Sequence, residues 1–305
     1  MKRKLLALLL ALVMVLSLLP AALVPDTAVA ETIDQTIVEG GAILHCFDWS
    51  YKEIIDHLDE IAAAGYTAVQ TSPVQPPKDY NPAWTDGGGQ WWKLYQPLGF
   101  RIAGEDETWL CEGGKTLADL CEAAHDKHIK VIVDVVANHL ANKTGGGYYL
   151  DKDGNGSPDD LNGDGEINAL DANLSEQVDD AFQNHPEYFH ANTAGVNDGS
   201  RYNMTQNQMG MPDLNTSNQF VQQTVYDFLV ECVNCGVDGF RFDAAKHIEL
   251  PGDSSGKSDF WSAILDGVDD GGIQGVRNVA NKELFIYGES LSGGSNEPWV
   301  QEYET

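Results

Sequence analysis

The chain of 305 residues predicts an α/β fold of the (β/α)8 TIM-barrel type, with an irregular subdomain inserted after the third strand. Three observations predict it. Short apolar β runs alternate with stretches of helical periodicity, and the connections are short, which favours parallel strands. The run Lys130–Val136 is apolar nearly throughout, as a strand covered on both faces should be. Polar or aromatic residues gather just past one strand end after another, at the face where such a barrel carries its site. A doubly wound open sheet also binds at strand C-termini and is the runner-up. Only about five βα units can be counted before Thr305, whereas closure needs about eight strands, so the chain looks truncated.

Each element follows from its residues. Residues 41–47 read as a first strand. Ser50 and Glu53 have capping-box spacing, and Ile54, Ile55, Leu58, Ile61 and Ala62 then recur at helical spacing until Gly65. Residues 67–71 form a second strand, stopped by Ser72 and Pro73. The loop 74–100 is rich in Pro, Gly and aromatic residues, and a loop that long is unusual without a function. It holds Trp91, Trp92, Tyr95 and Gln96. Their rings suit the C–H face of a sugar, although at least one is expected to pin the loop to the core. Thr116 caps a helix carrying Leu117, Leu120 and Cys121, and the third strand ends in Asn138 and His139. Residues 140–218 are polar, rich in Gly and Asn, and too long for a simple connection. A helix resumes near Gln219, with Phe220, Val221, Val225, Phe228, Leu229 and Cys232 on one stripe. The fourth strand, a helix near 260–265 and a fifth strand at 284–287 follow. The organisation expected is a signal peptide at 1–30, barrel segments at 31–139 and 219–305, and a calcium-binding insert at 140–218.

Composition narrows the function. Asp and Glu number 47 against 18 Lys and Arg, a formal net charge of -29. Nucleic acid, which needs a basic face, is excluded, whereas a neutral substrate and divalent cations fit. Lys2 to Lys4, the apolar run 5–19 and the small residues Ala28, Val29 and Ala30 make a secretory signal. A membrane anchor is the alternative, weakened by the short run and Pro20. The expectation is a secreted, extracellular monomer without a membrane partner. The cysteines number 5, so at least one lacks a partner within the chain. Cys232 and Cys235 have redox spacing but sit in an apolar-periodic helix, and they read as helix core. A bridge between Cys111 and Cys121 is left open.

Residues 237–247 carry the chemistry. Val237, Phe240 and Phe242 are apolar, while Arg241 and Asp243 lie two apart and share one side of a strand. An arginine beside a carboxylate keeps it ionised, which makes Asp243 a candidate nucleophile; the plain alternative is a structural ion pair. Glu289 follows the fifth strand, where burial would raise its pKa and hold its proton; alone, it could equally be a surface acid. An ionised and a protonated carboxyl at separate strand ends are the minimum for a retaining glycosidase.

At this point the sequence resembles the α-amylase family of glycoside hydrolases. The segments 134–139 (DVVANH), 211–215 (MPDLN), 239–247 (GFRFDAAKH) and 288–290 (GES) resemble its consensus blocks in order, and 91–97 (WWKLYQP) its substrate-stacking loop. The resemblance implies Asp243 as nucleophile, Glu289 as acid/base and Arg241 as the residue orienting Asp243. His139 and Tyr95 would hold the sugar at the cleaved bond, Trp91, Trp92 and Gln96 the glycone side, and Lys246 and His247 the leaving-group side. Asn138, Asp213 and the His247 carbonyl would bind structural calcium. A departure is that the last block of the family, with its third acid, and the C-terminal β-sandwich have no match here. Separately, Asp160, Asn162, Asp164, Asn168 and Asp171 have EF-hand-like spacing around Gly165, a second calcium candidate that also resembles one dockerin repeat. The implied activity is endo-hydrolysis of an α-1,4-glucan polysaccharide with retention. A transglycosylase or exo-acting relative, and a non-catalytic carbohydrate- or calcium-binding fragment, are the alternatives.

Overall fold

The computed structural model describes residues 40–81, 90–143, 174–183, 185–190, 195–196, 200–254, 256–268 and 272–291. The signal-peptide residues 1–30 and the loop 160–171 lie outside them.

Five strands form one sheet in the order in which they occur along the chain: β1 (Ile43–His45), β2 (Ala68–Gln70), β3 (Lys130–Val136), β4 (Gly239–Asp243) and β5 (Phe285–Gly288). All four pairings are parallel. The order never reverses, so there is no switch point of the doubly wound kind. It is the arrangement of consecutive barrel strands, and the fold is a TIM-type barrel sheet. The register sets Val136 beside Asp243 and Phe242 beside Gly288, which brings the polar strand ends to one level.

Helices cover the sheet because their apolar stripes need it. In α1 (Tyr51–Ala63) the buried positions Tyr51, Ile54, Leu58 and Ile61 repeat every three or four residues. Each such side chain contributes about 1.5–3 kcal/mol on burial. The Ser50 hydroxyl accepts from the Glu53 amide at 3.1 Å and donates to Glu112 at 3.0 Å, and the predicted capping box is half formed, since only the Ser50 side of it is made. A complete box opens α2 (Leu117–His125) instead, between Thr116 and Asp119. After the short α3 (Arg201–Gln206), α4 (Gln219–Asn234) leads into β4. α5 (Phe260–Asp266) and α6 (Val276–Val279) precede β5.

The bounds of β1, β2 and β5 differ from the sequence reading, β2 being Ala68–Gln70 rather than 67–71. The first strand is confined to three residues, because Asp48 turns the chain with φ 64°. The fifth starts one residue late, at Phe285. Trp91–Lys93 is a 3₁₀ turn within the long loop. All five cysteines are thiols, so no bridge joins Cys111 and Cys121. Cys232 is buried in α4, and Cys235 caps that helix. Between β3 and α4, bridges at His139–Asp213, Asn142–Leu174 and Phe189–Leu214 tie the described residues together. Phe182 packs there against Phe100, Phe189 and Phe220. No helix among the described residues is long and apolar enough to cross a membrane.

Candidate active site

Arg241 is the centre of the site. β4 points it to the same side as Asp243, and the β3–β4 register puts Asp134 directly across from it. Its Nη1 donates to both Asp134 oxygens at 2.8 and 2.9 Å and to Asp243 Oδ1 at 2.9 Å. Its Nη2 lies 3.2 Å from Glu289 Oε1. One guanidinium therefore holds three carboxylates, from β3, from β4 and from just past β5. Asp134 was not singled out from the sequence. Its signal was there: it is the one acid within an otherwise apolar strand.

The backbone past β4 is shaped for Glu289. Ala244 adopts φ 50°, a left-handed conformation that costs a β-carbon residue energy. There its amide donates to Glu289 Oε2 at 3.1 Å. The Glu289 amide in turn donates to the Phe242 carbonyl at 2.8 Å. Gly288 is required just before it, since a Cβ would come within 2.5 Å of the Ala245 Cβ.

Two electrostatic expectations change. Burial, outweighing the opposing Arg241 charge, pushes Asp243 up to about 6. The nucleophile candidate is thus mostly, not wholly, ionised at neutral pH. Glu289 is not buried as expected: its side chain keeps 30% exposure. Arg241 bonds to both carboxyls, so Asp243 and Glu289 are gathered on one cation.

The other predicted side chains converge on the same place. A cleft of about 660 Å³ is lined by Trp91, Trp92, Tyr95, Gln96, His139, Lys246 and His247 together with Arg241, Asp243 and Glu289. The Tyr95 hydroxyl donates to Asp134 at 3.0 Å, so it is anchored and its ring is left for contact. His139 Nε2 is bonded to the Tyr95 carbonyl at 3.0 Å, and burial lowers its pKa to about 4, keeping the ring neutral. His139 Nδ1 and Gln96 Oε1 are buried and have no hydrogen-bond partner among the described residues. Lys246 Nζ donates to the Leu291 carbonyl at 2.7 Å, and His247 Nδ1 meets the Met204 carbonyl at 2.8 Å. The sequence reading missed His45, Phe47, Met209 and Met211, which also line the cleft. Of these, Phe47 carried a local signal as an aromatic residue at a strand end, and Met211 as the first residue of the segment 211–215.

The calcium candidates meet in part. Asn138 Nδ2 donates to Asp213 Oδ1 at 2.9 Å, and both residues are buried. Turning the Asn138 amide would present its oxygen, and amide and carboxylate oxygens suit calcium. Asp213 Oδ2 lies 2.7 Å from His190, whose other nitrogen lies 2.7 Å from Glu249. Burial opposes charge on His190, but the two carboxylates outweigh it and raise its pKa. Among the described residues no three acidic, His or Cys side chains form a metal cluster. Asn138 and Asp213 thus bring two oxygen-bearing side chains of the kind calcium takes to one buried spot.

Residues 49–297 match the family model of the α-amylase catalytic domain. The chain belongs to the α-amylase family. It is 37% identical over 258 residues to an α-amylase of Clostridium acetobutylicum and 32% identical over 273 residues to one of Butyrivibrio fibrisolvens. Those alignments take in 83% and 84% of this chain but 28% and 24% of the relatives. The chain thus spans about a quarter of the length of these amylases. Among solved structures, the α-amylase I of Eisenia fetida in a mutant complex with maltohexaose superposes with TM-score 0.57 at 21% identity. It covers 86% of this chain and 47% of that one. An α-amylase of Geobacillus thermoleovorans complexed with acarbose gives 0.56 at 18% identity, over 86% and 49%. These likenesses concern the fold.

Proposed function

We propose that this amylase-family chain carries the catalytic pair of a secreted, endo-acting α-1,4-glucan hydrolase working with retention. The observation that carries the reading is the pairing of Asp243 and Glu289 on one arginine at the floor of an aromatic-walled cleft. The Asp243 carboxylate attacks the anomeric carbon, while Glu289 gives its proton to the departing glycosidic oxygen. Glu289, now ionised, takes a proton from water, and that water releases the sugar from Asp243. Two inversions restore the configuration. Arg241 orients Asp243 and favours its charged form. The free His139 Nδ1 and the free Gln96 Oε1 are positioned to meet sugar hydroxyls. Tyr95, Trp91 and Trp92 offer ring faces. A maltohexaose complex exists for the structurally similar α-amylase I of Eisenia fetida, which supports an α-glucan as substrate.

A calcium ion held by Asn138, Asp213 and the His247 carbonyl would neutralise a buried acid and tie the segment before α4 to the loop after β4. The candidate signal peptide makes the protein extracellular in this reading.

Reducing-sugar release from soluble starch by the chain, beside Asp243→Asn and Glu289→Gln, tests the proposal. Release is expected from the unaltered chain, is abolished by the first substitution and falls about 10²–10⁴-fold with the second. Equal activity in all three, or neither release nor maltoheptaose binding by the unaltered chain, overturns it.

A further inference from the structure

Phe47 lies at the rim of the cleft rather than in the core. It is large and apolar, yet 39% exposed, and it follows a strand whose neighbours are packed. Its position is imposed by the next residue. Asp48 sits at φ 64°, which a β-carbon residue adopts only when held there. Two contacts hold it: its amide donates to Ser72 Oγ at 2.8 Å, and its Oδ1 accepts from Trp109 Nε1 at 2.9 Å. This backbone turn, clamped from two other segments, presents the Phe47 ring to the cleft. The ring lies 5.5 Å from Trp91 and 5.5 Å from His45 between centroids.

The wider surface points the same way. Among the described residues five large hydrophobic side chains are exposed, and four of them, Phe47, Trp91, Trp92 and Leu291, line this one cleft. Apolar exposure so concentrated marks a binding surface rather than chance. Phe47 and Trp91 meet at 59°, so their rings form a bent wall and not a single plane. A bent pair of faces suits successive units of a curved chain better than one flat ring does.

Resting on the α-glucan reading above, we infer that Phe47 is a specificity-determining residue. It extends the Trp91–Trp92 wall and thereby favours long α-glucans over short ones. Asp48 is its positioning residue.

The test is calorimetric binding of maltotriose and maltoheptaose to the Glu289→Gln chain, with Phe47 intact, Phe47→Ala or Phe47→Trp. The expected result is that Phe47→Ala lowers the preference for maltoheptaose over maltotriose about tenfold, the scale of one lost ring contact. Phe47→Trp is expected to restore it. Urea midpoints within error of one another confirm that the variants remain folded. An unchanged preference in Phe47→Ala, or equal weakening of both sugars, overturns the inference and leaves the α-glucan reading standing. Binding of neither sugar with Phe47 intact overturns both.

Discussion

Replacing Arg241 by leucine tests whether one cation governs the site. The side chain is 14% exposed, and Asp134 is fully enclosed. Three hydrogen bonds of 2.8–2.9 Å leave from the same Nη1. Charge-assisted bonds contribute about 1.5–3 kcal/mol each when independent, but bonds sharing one nitrogen are not independent. The relevant scale is the loss of one partner from a buried ion pair, about 3–5 kcal/mol. The pH dependence follows from the carboxyls left behind. Burial already raises Asp243 from 3.8 to about 6, and removing the opposing cation raises it further, as it does Asp134. A carboxyl raised in the folded state adds stability that is fully present below its unfolded pKa and is lost as pH rises through the folded one. The penalty of Arg241→Leu is therefore largest near pH 8 and smaller near pH 5. Urea unfolding at both values measures it. A loss below about 1 kcal/mol at pH 8, or the same loss at both pH values, refutes the reasoning.

Three further outcomes are expected. Hydrolysis measured as kcat/KM rises with pH through about 6 as Asp243 loses its proton, so a profile flat between pH 5 and 7 counts against Asp243 as nucleophile. Gly239→Ala puts a Cβ 2.2 Å from the Phe285 carbonyl; the β4–β5 contact must open, and thermal unfolding should show a loss of about 1–3 kcal/mol. Chelation lowers the melting temperature of the chain by removing calcium from Asn138 and Asp213, and Asp213→Asn abolishes the part of that shift due to this site. A chelator shift unaltered by the substitution places the calcium elsewhere.

Much of the site was written in local sequence. Arg241 and Asp243 share a side because a strand has a period of two, and that needs no knowledge of the rest of the fold. The apolar run at 130–136 announced a covered strand for the same reason. Helix α1 was legible from its stripe. The end of β1 was less so: its short length is set by the turn at Asp48, whose two clamps come from Ser72 and Trp109, far along the chain.

What the sequence determined by itself is the alternation of β and α segments, the residues at the strand ends and the family blocks they compose. These depend on neighbours a few positions apart. The tertiary structure decided the rest. Asp134 became the third carboxylate on Arg241 only through strand register, which no local pattern specifies. Burial moved Asp243 upward against its arginine, because desolvation is summed over atoms from every surrounding element. Phe47 faces the cleft because distant side chains hold the turn beside it. In each case the physical term is long-range in sequence and short-range in space, so it exists only once the chain has folded.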